Sequence, residues 1–130
     1  VDELVLMKSN AFHIDTLFTP VINLENTLVA VIACTSLMEK NSVENLKLFT
    51  KRKGIELVEV PPEDAIGTEN ELGEFAVNCE PIPGYLIGPT RFRSNKVAPL
   101  LKELGVMHIT VPTTQFRLSG GAIHCLTNEL

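Results

Sequence analysis

The sequence predicts an α/β protein built from a ββαβ unit that occurs twice. Three observations carry that prediction. A helix–glycine–strand–proline segment recurs: residues 45–54 lead into 55–61, and residues 96–105 lead into 106–112. Gly54 to Gly105 and Pro61 to Pro112 are each 51 residues apart. Two strand-like stretches precede each helix, and no apolar run is longer than a strand, the longest being residues 28–34. A supersecondary unit repeated in this way cannot bury its own apolar face, so such units are stacked into a larger array.

Residues 4–7 open the chain as a strand-like run. In the first unit, 14–21 and 28–34 read as strands joined by 23–26. The helix of 45–54 stops at Gly54, a residue free to take positive φ, and 55–60 continues as a strand ended by proline. Residues 63–74 are polar and contain glycine, the pattern of a surface loop or lid. In the second unit, 75–79 and 85–87 read as strands joined by 81–84. Val97, Leu100, Leu101 and Leu104 then fall at i, i+3, i+4 and i+7 of a helix, giving one apolar face. Pro99 belongs in its first turn, where a missing N–H costs little. A last strand is expected over 123–128.

Composition narrows the function classes. The 130 residues amount to about one domain. Eleven basic against sixteen acidic side chains give a net charge of −5, which disfavours nucleic acid as a partner. A membrane span needs about 18 apolar residues and none is present. Three cysteines without CxxC spacing suggest neither a disulfide framework nor a zinc site, so a cytoplasmic protein with reduced thiols is expected. The chain begins at Val1 and runs straight into a strand-like segment, so the expectation is either that something was removed upstream or that this is part of a larger polypeptide.

Two motifs carry candidate chemistry. In His13-Ile14-Asp15, strand alternation would put the imidazole and the carboxylate on one side, a plausible acid/base pair or simply a surface histidine beside a capping aspartate. In Ser119-Gly120-Gly121-Ala122-Ile123-His124-Cys125, two glycines let the backbone approach a ligand and Cys125 is a candidate nucleophile. A buried cysteine after a glycine turn is the alternative. Alternation places His124 on the opposite face, so His13 is the better base for Cys125. Cys34 and Cys79 sit in apolar stretches and read as core. His108 reads as a strand residue, and Arg91, Arg93 and Lys96 as a solvated basic cluster. Arg117 is placed to meet an anionic group of a ligand or to form a surface salt bridge.

Taken together, Phe12-His13-Ile14-Asp15-Thr16-Leu17-Phe18 and Gln115-Phe116-Arg117, followed by Gly120-Gly121 and His124-Cys125-Leu126-Thr127, resemble the guanidino-group-modifying (pentein) superfamily. The likeness is strongest to its dimethylarginine dimethylaminohydrolase and arginine deiminase branch. It implies a five-bladed α/β propeller of ββαβ units, of which residues 1–130 would form the C-terminal catalytic half, about two and a half units. It also implies hydrolysis of a C–N bond of arginine or a methylated arginine through a covalent cysteine adduct, with a citrulline-type product. By the resemblance Cys125 is the nucleophile and His13 the general acid/base. Asp15, Asn78, Arg117, Gly120 and Gly121 would serve the substrate. No metal and no organic cofactor are implied. The partners implied are a small guanidino substrate and a missing N-terminal half or partner chain, with self-association as another route to completion. Ala122 stands where the family often has a third glycine. Amidino transfer by the same cysteine, or a non-catalytic half that binds an arginine-like ligand or partner, are the alternatives.

Overall fold

A computed structural model describes residues 3–9, 11 and 13–127. Phe12 of the first motif, Asn128 at the end of the expected last strand, and Val1 lie outside the described residues.

The ββαβ unit is present twice. The first comprises β1 (Phe18–Ile22), β2 (Leu28–Ala33), α1 (Lys40–Lys53) and β3 (Glu56–Glu59). The second comprises β4 (Glu80–Ile82), β5 (Tyr85–Gly88), α2 (Val97–Glu103) and β6 (Met107–Thr110). Each unit forms a three-stranded mixed sheet, in order β1-β2-β3 and β4-β5-β6, antiparallel for the first pair and parallel for the second. The helix supplies the crossover that a parallel neighbour requires.

Local chemistry explains these elements. In α1, Val43, Leu46 and Thr50 recur at i, i+3 and i+7 on the inward side, and Leu46 is only 2% exposed. Full burial of such a side chain contributes about 1.5–3 kcal/mol. Gly54 at φ 67° donates its N–H to Lys51 and Thr50, and Gly105 at φ 68° ends the second helix in the same left-handed conformation. A Cβ at either glycine would meet open space, so the conformation alone accounts for glycine there. Pro99 sits in the first turn of α2 as expected. Pro20 and Pro81 lie on the edge strands β1 and β4, where a missing donor is tolerated. The sheets meet along β1, which packs against β4 and β5, with the Gly84 N–H bonded to the Ile22 carbonyl at 3.0 Å. Leu17, Val21, Ile32, Leu46, Leu86 and Leu101 therefore belong to one core spanning both units.

Several expected boundaries are corrected. Residues 4–7 form no strand. Residues 14–21 begin with a 3-10 turn, Ile14–Thr16, and pair only from Phe18. Helix α1 starts at Lys40, ahead of residue 45. Residues 75–79 are a turn: Phe75 has φ 55°, the Asn78 N–H turns back to Phe75, and the Val77 N–H goes to the Asp64 carbonyl. The strand falls instead on Glu80–Ile82, overlapping the expected 81–84 connection, because Pro83-Gly84 with Gly84 at φ 80° makes a two-residue hairpin turn. Residues 123–126 form a short helix, α4 (Ile123–Leu126), preceded by α3 (Thr114–Arg117). The polar stretch 63–74 is an ordered loop: the carboxylate of Asp64, fully buried, accepts the N–H groups of Arg93 at 2.6 Å and Ser94 at 3.0 Å.

His108 on β6 occupies the position held by Leu57 on β3, opposite Leu86 as Leu57 is opposite Val31. Its ring packs 5.4 Å from that of Phe92. Burial, aided by Arg91, pushes its imidazole below the ordinary value of 6.5. The unfolded chain thus binds the proton more readily than the native one. The stability it contributes is full above that ordinary value and is lost as pH falls below it. Replacing His108 with leucine is expected to flatten this acid limb, measured as the difference in denaturant midpoint between pH 5 and pH 7.5. An unchanged difference would refute the assignment.

Candidate active site

The centre is assembled from three segments far apart in sequence. The first is the 3-10 turn at Ile14–Thr16, fixed by the Thr16 hydroxyl donating to the His13 carbonyl at 2.6 Å. The second is the 75–79 turn, which carries Asn78. The third is the glycine turn leading into α4, where Gly120 has φ 87°. A ring nitrogen of His13, a carboxylate oxygen of Asp15 and Sγ of Cys125 all lie within 4.8 Å of one another. His13 and Cys125 line an open hollow of about 270 Å³ together with Phe116, Ser119, Gly120, Gly121 and Leu126. The alternation argument for His13 and Asp15 is replaced by the 3-10 turn, but the two side chains do converge.

Asn78 joins the three segments. It is 0% exposed, and its amide nitrogen donates to the Asp15 carbonyl at 3.0 Å and to Asp15 Oδ2 at 3.2 Å. Its Oδ1 accepts the N–H of Ala122 at 2.8 Å and that of Cys125 at 3.3 Å, and its carbonyl accepts the N–H of His124 at 3.2 Å. These bonds explain why 123–126 curls into a helix rather than extending as a strand. The structure thus places Asn78, expected to serve the substrate, with its amide bonded to Asp15, Ala122 and Cys125.

Gly121 belongs here for a steric reason. A Cβ on it would lie 2.8 Å from Cβ and 2.9 Å from Sγ of Cys125. Any side chain at that position displaces the thiol.

Asp15 Oδ2 is the electrostatic focus. Besides Asn78 it meets Cys125 Sγ at 3.3 Å and His124 Nδ1 at 3.0 Å. Burial raises the carboxyl pKa, but the hydrogen bonds from Cys125, His124 and Asn78 and the charge of His124 outweigh it. The group therefore ionises below its usual range. Cys125 shifts the other way: burial pushes the thiol up, and the bond to Asp15 and its negative charge add to that despite N–H contacts that favour the thiolate. Near neutral pH the resting pair is a carboxylate and a thiol. His13, Asp15 and Cys125 also offer one nitrogen, one oxygen and one sulfur donor, a set that could hold a soft divalent metal.

Arg117 is not among these residues. Its Nη1 pairs with Glu74 Oε2 at 2.5 Å in a separate hollow lined by Thr90, Thr113 and Thr114. Glu74 also meets Arg93 at 3.6 Å, so Arg117 forms the surface salt bridge that was its alternative. Cys34 and Cys79 are buried, and burial raises both thiols. The contribution missed from sequence is His124. Its place beside Cys125 is the only signal in the sequence, and strand alternation points it away from the centre.

No family model matches the chain, and no curated protein matches it. Solved structures do. The ternary complex of AgrE with ornithine and NAD+ matches at a TM-score of 0.75 and 20% identity, over 95% of this chain and 16% of that one. The N-terminal domain of ArgZ, an arginine dihydrolase from the ornithine–ammonia cycle in cyanobacteria, bound to substrate, matches at 0.72 and 22%, over 97% and 42%. The same domain covalently bound to a reaction intermediate matches at 0.68 and 21%, over 95% and 41%.

The chain shares their fold.

It spans about one sixth of the AgrE chain and about two fifths of the ArgZ domain. Among the described residues no helix is long and apolar enough to cross a membrane.

Proposed function

We propose that this chain carries the catalytic cysteine centre of a guanidino hydrolase acting on arginine or a methylated arginine. The observation that carries the reading is the convergence of His13, Asp15 and Cys125 within 4.8 Å at an open hollow. Asp15, ionised at neutral pH, offers the guanidinium charge-assisted hydrogen bonds. The cation would displace the thiol from Oδ2 and favour the thiolate, offsetting the burial that keeps Cys125 protonated. The Cys125 thiol passes its proton to His13, and the thiolate attacks the guanidinium carbon, forming a C–S bond. His13 gives a proton to the departing ammonia or amine as its C–N bond breaks. Water, losing a proton to His13, next attacks the adduct, and the thiolate leaves as citrulline forms. These steps require no metal and no organic cofactor.

A second hydrolysis at the same carbon is the other reading, favoured by the fold match to an arginine dihydrolase. There citrulline plus water would give ornithine, carbon dioxide and ammonia.

On the same reading the two ββαβ units are blades of a five-bladed propeller and belong to its C-terminal half, completed by upstream blades or a partner chain. Coverage of 41–42% of the ArgZ domain fits two blades of five. Ala30 and Val58 in the first sheet are buried, whereas Tyr85 and Ile109 at the matching positions of the second are 38% and 39% exposed. A further blade would cover them.

The test is alkylation of Cys125 by 2-chloroacetamidine, an amidinium electrophile, compared with neutral iodoacetamide and followed by mass. The expected result is a marked preference for the amidine at Cys125 that His13→Ala suppresses and Cys125→Ser removes. No preference for the amidine, with or without added upstream blades, would overturn the hydrolase reading. The product mass from arginine separates citrulline from ornithine.

A further inference from the structure

We propose that His124 is a positioning residue for Asp15, fixing the carboxylate that receives the guanidinium; the inference rests on the hydrolase reading. Asp15 Oδ2 lies 3.0 Å from His124 Nδ1, 3.2 Å from Asn78 Nδ2 and 3.3 Å from Cys125 Sγ. A carboxylate oxygen can only accept, so Nδ1 carries the proton in this contact. The three donors differ in permanence. Asn78 is buried and bound on both sides of its amide. The Cys125 contact must be given up when the thiol ionises. When that happens Oδ2 keeps Asn78 and His124 as donors, and both help set which way the carboxylate plane faces. Asn78 grips Asp15 from the interior, while His124 is exposed and approaches from α4, the element that carries the nucleophile. His124 thus ties the orientation of the guanidinium's partner to the position of Cys125, its own neighbour in sequence. A guanidinium is planar and presents its donors as a fork, so a rotated carboxylate loses one of the paired bonds.

The residue acts through Asp15 and not on the thiol, and this separates its signature from that of a merely structural residue. Removing it should slow reaction with a cationic electrophile that must be oriented by Asp15. Reaction with a neutral one, which needs only an accessible thiolate, should change little.

The experiment measures second-order alkylation of Cys125 by 2-chloroacetamidine and by iodoacetamide in the unmodified chain, His124→Ala and His124→Asn. Loss of a hydrogen bond to a charged group predicts a fall of about tenfold in the amidine rate for His124→Ala. The iodoacetamide rate should stay within about threefold. Asparagine, whose amide can replace the Nδ1–H donor, should restore most of the amidine rate. An unmodified chain that prefers the amidine, with His124→Ala showing the same preference, would overturn the role of His124 alone. Equal slowing toward both reagents would also overturn it, because it marks a general disturbance of α4. An unmodified chain with no preference for the amidine would overturn the hydrolase reading and this inference together.

Discussion

Replacing Asn78 with alanine is expected to lower the unfolding free energy by about 3 kcal/mol, since each buried group left without its hydrogen bond costs about 1–3 kcal/mol. Four contacts disappear with the amide: two donated to Asp15, and two accepted from the N–H groups of Ala122 and Cys125. Ala122 is fully buried, so its N–H has no water to turn to, whereas Cys125 is exposed and can be resolvated. That asymmetry is why the estimate lies nearer one expensive orphan plus a smaller loss than four full penalties. The bond from the His124 N–H to the Asn78 carbonyl survives, because it belongs to the backbone. Stability and reactivity should therefore fall together: the glycine turn and α4 lose their anchor, and Cys125 is no longer aimed at Asp15. A reduced denaturant midpoint at constant m-value, with a slower amidine reaction at a temperature where the variant remains folded, is the expected pair of results. A variant as stable as the parent would refute the assignment of Asn78 as the joint between the three segments.

What could be read from the sequence was local. The helix–glycine–strand segments around Gly54 and Gly105 announce themselves because apolar periodicity, a left-handed stop and a proline all lie within some fifteen residues. The ββαβ repeat therefore matched the expectation. The 75–79 stretch misleads because Phe75, Ala76 and Val77 are apolar for a different reason: they are buried, with the N–H groups of Phe75 and Val77 turned to the carbonyls of Ala65 and Asp64 rather than to a neighbouring strand. Alternation cannot distinguish burial by pairing from burial by packing. Likewise the convergence of His13 with Cys125 followed from the resemblance of two motifs. Its physical cause, an asparagine 63 residues from Asp15 and 44 from Ala122, has no local signature. Strand alternation misplaces His124 because long-range bonds to Asn78 impose a helical turn there. The pairing of Arg117 with Glu74 was open in sequence and needed the course of the 63–74 loop to decide it.

Asp15→Asn should move the two alkylating reagents in opposite directions. The amidine loses the negative charge that receives it. At about 1.5–3 kcal/mol for each charge-assisted hydrogen bond, loss of a paired contact corresponds to a rate about a hundredfold lower. Iodoacetamide has no charge to lose. For it the relevant quantity is the thiolate fraction of Cys125, which burial holds down first and Asp15 holds down further through its hydrogen bond and its charge. Removing the charge lowers the thiol pKa, so more thiolate is present at any pH below the parent's midpoint and the neutral reagent reacts faster. The pH–rate profile with iodoacetamide should accordingly shift to lower pH in the variant. The same substitution has a stability signature. The carboxyl ionises below its usual range in the folded chain, so its contribution is present above that range and lost as pH falls through the lowered value. An asparagine has nothing to titrate, so the variant should lack that part of the acid transition. A residue that only supported the turn at Ile14–Thr16 would slow both reagents alike, whereas an anionic partner for a cationic substrate must separate them. Parallel slowing would remove Asp15 from the guanidinium-binding role.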